Sequence, residues 1–124
     1  MSDEFIKVAT QEIREEIAEI KKILNSCSDD SSVFDNATSI EKHFHKIKGL
    51  APMMGKEKIG EIASLNDILL NHVLEGQHLD GIYSVLLASN LFMEKSIENI
   101  DIDSAEIKQK IETNYSKFLD QSPS

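Results

Sequence analysis

The residues with the greatest capacity for chemistry fall in one stretch, His43-Phe44-His45-Lys46-Ile47-Lys48-Gly49-Leu50-Ala51-Pro52-Met53-Met54-Gly55. Ala37, Ile40, Phe44, Ile47 and Ala51 recur at helical spacing, the pattern that buries one face of a helix. His45 lies one residue, about 100°, off Phe44 and so stands on the flank, towards solvent. Lys48 and Gly49 follow at the third and fourth positions after it, on the same patch of helix surface. An exposed imidazole therefore has a cation beside it and a bare spot where the next side chain would stand. Glycine inside a helix costs about 1 kcal/mol relative to alanine, and what it gives in return here is access to the ring. A phosphoryl group fits both neighbours. It needs room, and its roughly two negative charges suit an adjacent ammonium.

An imidazole nitrogen attacks phosphorus only when unprotonated, so the other nitrogen must hold the proton and be oriented by an acceptor. If the His45 helix and the next one form an antiparallel hairpin centred near Lys56, His45 is level with Asp67 and Lys48 with Ser64. Asp67 is then a candidate acceptor for the Nδ1 proton, leaving Nε2 as the nucleophile. Glu41, four residues before His45 on the same helix, is the other candidate.

The remaining polar residues read as structural. His43 is about 200° around the helix from His45, so the two cannot converge on one metal, and His43 is a surface or packing residue. His72 and His78 flank a turn and read as loop histidines. A metal-binding bundle would need two Glu-x-x-His pairs facing inwards, and Glu41 with His45 supplies a single lone pair, so no metal is expected. Met53 and Met54 read as pliable core filler. Glu12, Glu15, Glu16 and Glu19 read as a solvated helix face. Cys27 reads as a loop thiol with nothing nearby to lower its pKa, and as the one cysteine it cannot form an internal disulfide.

Five helices must position these residues. Ile6, Ala9, Ile13, Ile17, Ile20 and Leu24 predict a helix over about 3–25, capped by Ser2-Asp3-Glu4. The polar run from Asn25 to Ser32 reads as a loop. The His45 helix covers about 34–53 and stops at Gly55. Ile59, Ile62, Ala63, Asn66, Leu69 and Val73 predict a third helix over about 56–74, closed by Gly76. Leu79, Ile82, Tyr83, Leu86, Met93, Ile97 and Ile100 predict a fourth over about 79–100. Ile107, Ile111, Tyr115 and Phe118 predict a fifth over about 104–119, with Asp103 or Ser104 as its cap. The expected fold is all-α: an antiparallel up-down four-helix bundle with the fifth helix packed on its side. The expected domain is 1–119, and 120–124 is a frayed tail or the start of a linker.

Composition narrows the function classes. The chain has 124 residues, 13 Lys and Arg against 22 Asp and Glu, a net charge of −9, and 40% apolar residues. That length suits one domain with a real core. The acidic balance argues against nucleic acid and against an anionic membrane surface. No apolar run approaches the roughly 20 residues of a membrane span, and the acidic start is unlike a signal peptide. A cytoplasmic location is expected. The chain has no Gly-rich phosphate loop, so it is not expected to bind ATP.

The pattern His45-x-x-Lys48-Gly49-x-Ala51-x-x-x-Gly55, followed by Leu65 and Asp67 on the next helix, resembles the histidine-containing phosphotransfer (HPt) domain, in the version found at the N-terminus of CheA-type chemotaxis histidine kinases. The resemblance extends over essentially the whole chain. It implies that His45 is phosphorylated, that Lys48 stabilises the phosphate and that Gly49 gives access. It also implies that Asp67 hydrogen-bonds the ring, at a position more often Glu, and that Ser64 occupies a further polar position of that network. Pro52 departs from the pattern and should kink the last turn of its helix. The implied partners are the ATP-binding domain of a histidine kinase and a response-regulator receiver domain, the latter docking on apolar surface near the phosphorylated histidine, where Leu50 or Met53 would count if exposed. ATP and Mg²⁺ would belong to those partners, with no cofactor in this chain and no enzyme activity of its own. A monomer is expected, either standing alone or as a domain of a larger kinase. The rival reading is a non-catalytic helical interaction module in which His45 is incidental.

Overall fold

The computed structural model describes residues 2–120, and among them there are six helices and no strand. α1 runs Asp3–Asn25, α2 Asp30–Met53, α3 Glu57–Leu74, α4 Ile82–Ile97, α5 Ala105–Asn114 and α6 Ser116–Leu119. The expected tail residues 121–124 lie outside the described ones. No helix is long and apolar enough to cross a membrane among the described residues.

α1 starts where Ser2 accepts a hydrogen bond from the Phe5 amide at 3.2 Å. It buries Ala9, Ile13, Ile17, Ile20 and Leu24, whereas Ile6, expected on the same stripe, is exposed. α2 begins at Asp30, about four residues earlier than the sequence suggests. Asp29 caps it by accepting from the Ser32 amide at 2.9 Å. The side chains that compete with backbone in a loop are the ones that satisfy a free helix end. Asp30 also accepts from the amides of Gly81 at 2.8 Å and Tyr83 at 2.9 Å. That clamp, with Gly81 at φ 84°, delays α4 until Ile82 although Leu79 is already buried. At its other end α4 stops at Ile97, and Ile100, expected in the helix, is exposed.

The expected fifth helix is two. Tyr115 is buried and its hydroxyl donates to the Asp80 carbonyl, and this anchored residue leaves helical geometry (φ −128°, ψ 24°), separating α5 from α6. Asp103, not Ser104, makes the capping bond, accepting from the Ala105 amide at 2.9 Å.

One apolar core joins the elements, with Phe44 and Phe92 its largest fully buried side chains. Polar pairs tie the helices at its edges. Arg14 reaches Glu98 at 2.6 Å and Lys21 reaches Glu94 at 3.1 Å between α1 and α4. Asn66 donates to Ser89 at 2.8 Å between α3 and α4. His72, expected in a loop, is buried at the end of α3, where its Nε2 donates to the Phe118 carbonyl at 2.8 Å and holds α6. Glu16, expected on a solvated face, is buried against α2. Cys27 lies in the α1–α2 loop as expected, but it is buried, and burial raises its thiol above 9.0.

Candidate functional site

The site is built by α2 and α3, and the turn between them sets their register. Gly55, at φ 73°, lets the chain reverse, and the Lys56 amide reaches back to the Ala51 carbonyl at 2.9 Å. Gly60 then sits under Pro52: a Cβ there would come within 2.9 Å of the proline ring, so only glycine admits this approach without movement. Further from the turn, burial of Phe44, Ile47 and Ala51 fixes the rotation of α2. That rotation leaves His45 exposed on the side that faces Asp67 of α3.

His45 Nδ1 lies 3.3 Å from Asp67 Oδ2 and 3.8 Å from Glu41 Oε2. Lys48 donates to the same Asp67 oxygen at 3.4 Å. The two acceptors left open by the sequence are thus both present, with Asp67 at hydrogen-bonding distance and Glu41 just beyond it. Lys48 is drawn to Asp67 rather than to Ser64, and among the described residues no hydrogen bond joins Ser64 to this group. Asn71, which the sequence reading missed, holds the other Asp67 oxygen, Oδ1, at 3.2 Å. Its signal was present as a carboxylate and an amide four residues apart on α3.

The side chain of His45 is 66% exposed, while that of Asp67 is 4% exposed. Burial pushes the Asp67 carboxyl up, but hydrogen bonds from Glu41, His45 and Lys48 outweigh it and hold the group below 3.8. Its partner Glu41 is raised to about 7, by its hydrogen bond with Asp67, by burial and by the Asp67 charge. Of the two, Asp67 is the stronger acid and loses its proton first, and Glu41 keeps its proton to higher pH. An ionised carboxylate can only accept, so a hydrogen bond from His45 to Asp67 puts the proton on Nδ1 and leaves the lone pair on Nε2.

Around this group the surface is open. Nothing lies within 4 Å of where a Gly49 Cβ would stand. A shallow hollow of about 430 Å³ is lined by Ser39, Glu41, Lys42, His43, His45 and Lys46. Met53 is half exposed and Leu50 partly buried beyond it. His43 points elsewhere, with Nδ1 2.8 Å from Glu16 Oε1 of α1. His78 is an exposed loop residue paired with Asp80 at 2.8 Å. Glu41, His45 and Asp67 each offer one ligand atom, all within 4.8 Å of one another, so the pair anticipated on α2 gains a third member from α3.

Comparison with protein-family models, with curated proteins and with solved structures returned no match.

Proposed function

We propose that the chain is a phosphotransfer module of a two-component pathway, of the chemotaxis type, in which His45 accepts a phosphoryl group and passes it on. The observation that carries this reading is the arrangement of the His45 ring. Nδ1 faces a buried, ionised Asp67 at 3.3 Å, while the rest of the ring is exposed beside Lys48 and the open space at Gly49.

The transfer follows from these positions. The Nε2 lone pair of His45 attacks the γ-phosphorus of ATP held by the kinase's own domain, the bond from phosphorus to the bridging oxygen breaks, and ADP leaves with the electron pair. The ring then carries a positive charge, with its Nδ1 proton still directed at Asp67, whose negative charge offsets it. Lys48 needs only to swing from Asp67 to meet the phosphoryl oxygens. In the second half-reaction an aspartate of a receiver domain attacks the phosphorus, the P–N bond breaks, and His45 returns to its neutral form. ATP, Mg²⁺ and the accepting carboxylate are the partners' contributions, and the chain serves as substrate and carrier rather than as an enzyme.

The same reading takes α1 to α4 as an antiparallel up-down four-helix bundle with the C-terminal helices on its side, within a domain over residues 1–119. It also takes the chain as a cytoplasmic monomer that meets proteins, not nucleic acid or membrane. Ser64 would join the polar network only after a rearrangement. Incubation with a CheA-type catalytic core, Mg²⁺ and labelled ATP tests the reading. An acid-labile, base-stable label on the wild type, absent from His45→Gln, is the expected result. No label from either the kinase core or a small phosphoramidate donor would leave the chain an interaction module in which His45 is incidental.

A further inference from the structure

We propose that Glu41, His45 and Asp67 also form a binding site for a zinc-like divalent cation, and that this ion and a phosphoryl group exclude each other on the His45 ring. The site itself follows from the positions of three side chains; the exclusion rests on the phosphoacceptor reading above.

A tetrahedral zinc ion takes nitrogen at about 2.0–2.1 Å and carboxylate oxygen at about 2.0–2.2 Å, which places its ligand atoms roughly 3.3–3.5 Å apart. His45 Nδ1 already lies 3.3 Å from Asp67 Oδ2 and 3.8 Å from Glu41 Oε2. All three ligand atoms lie within 4.8 Å of one another, so small side-chain rotations close the set. Two helices hold it. Glu41 and His45 are one turn apart on α2, and Asp67 comes from α3. Asn71 fixes the second oxygen of Asp67 at 3.2 Å, the outer hydrogen bond that a ligating carboxylate ordinarily has. The fourth position opens to solvent, because the His45 side chain is 66% exposed. Two ionised carboxylates brought together repel; a cation between them removes that repulsion and takes the place of the proton on Glu41, which is released to solvent. One imidazole with two carboxylates suits zinc, whereas Mg²⁺ prefers an all-oxygen shell and keeps its waters.

Lys48 opposes the ion. Its ammonium is 3.4 Å from Asp67 Oδ2, and it must swing out for a cation to enter. This gives Lys48 opposite effects in the two uses of the site: it helps a phosphoryl group and hinders a metal.

The exclusion comes from the ring's single proton. A neutral imidazole bound to metal through Nδ1 carries its proton on Nε2, so the attacking lone pair is gone. Attack through Nε2 requires the proton on Nδ1, so the metal has no lone pair there. The ring serves one or the other.

The test is a titration of the whole chain with Zn²⁺ in buffer containing millimolar Mg²⁺, followed by calorimetry and by the ¹⁵N signals of the histidine rings. The expected result is one ion per chain, with the Nδ1 signal of His45 shifted and the signals of His43 and His78 unchanged. Glu41→Gln should weaken binding at least about tenfold, and Lys48→Ala should tighten it several-fold. His45→Gln, at an exposed position, gives the same loss should Glu41→Gln fail to fold. Zinc at His78 and Asp80 instead, saturation by Mg²⁺ alone, or wild-type affinity in Glu41→Gln would each overturn the site. In a second arm a phosphoramidate labels the chain with and without zinc, and labelling should fall as the site fills. Undiminished labelling at saturating zinc overturns the exclusion. Zinc bound at His45 in a chain that phosphoramidate never labels removes the phosphoacceptor reading and leaves the metal site standing.

Discussion

His43 and His45 stand two residues apart on α2, and each turns Nδ1 towards a carboxylate on another helix, yet their surroundings differ. The side chain of His43 is 23% exposed and its nitrogen lies 2.8 Å from Glu16 Oε1, so the ring is wedged between α1 and α2. His45 is 66% exposed, its contact with Asp67 is longer at 3.3 Å, and among the described residues no hydrogen bond occupies its Nε2. One ring is used up in packing. The other is held at one nitrogen and left open at the other, the feature on which the proposed role as nucleophile rests.

The largest effect that tests this contrast is on phosphorylation by a small phosphoramidate. His45→Gln should abolish the label, while His43→Gln should keep the rate within about twofold. A label lost in His43→Gln and kept in His45→Gln would invert the comparison. Next in size is the aim of the ring. Asp67→Asn should slow labelling by about tenfold to a hundredfold, since a misplaced reacting group costs on that order. The fraction of His45 with its proton on Nδ1, read from ¹⁵N shifts, should fall with it. Asp67→Glu should recover both. Loss of rate with no change of tautomer would assign the effect of Asp67 to its charge or to stability rather than to aiming the ring.

A smaller effect contrasts two glycines. Gly49→Ala places its methyl in open space, so it should raise stability by about 0.5–1 kcal/mol in denaturant unfolding. It should also slow phosphorylation by a kinase domain more than by the small donor, because only the large partner needs the clearance. Gly60→Ala meets the Pro52 ring at 2.9 Å and should lower stability by about 1 kcal/mol or more. Equal transfer rates from both donors in Gly49→Ala would remove the access argument for Gly49.

Much of this site is legible in one dimension because it depends on helical phase. Phe44, Ile47 and Ala51 reveal which face is buried, and from that the exposure of His45 and its neighbours follows. Asp67 is legible because a short turn at Gly55 makes the pairing of α2 with α3 a matter of counting. Contacts set by rotation between more distant helices are not. Glu16 lies at the edge of the Ile13, Ile17 and Ile20 stripe, so helical phase sets it apart from Glu12 and Glu15, but that its partner is His43 is fixed only when α1 is placed against α2. His72 looks like the frayed end of a helix until Phe118 arrives from 46 residues away. Tyr115 continues an apolar period perfectly well, and it is the carbonyl of Asp80, on a remote loop, that turns it out of the helix. Asp29 and Asp30 illustrate a different limit: a Ser and Asp run serves a loop or a helix start equally, and tertiary partners for Asp30 decide between them.

The smallest effect is at that helix start, and it serves as the control for the comparison, since α2 carries both histidines. Hydrogen bonds from the Ser32 amide and hydroxyl, each at 2.9 Å, hold the Asp29 carboxyl below 3.8. A carboxyl that is a stronger acid in the folded chain stabilises the fold above its ordinary pKa, and that stability is lost as pH falls through the folded value. Asp29→Ala should therefore lower the melting temperature slightly at pH 7, and the gap from wild type should narrow as pH drops below 3.8. A gap that stays constant down to pH 2 would mean that the carboxylate charge plays no part in the cap. The ratio of phosphorylation rates between His43→Gln and wild type should not move in an Asp29→Ala background. If it did, the difference between the two rings would depend on the stability of α2 rather than on what each ring faces.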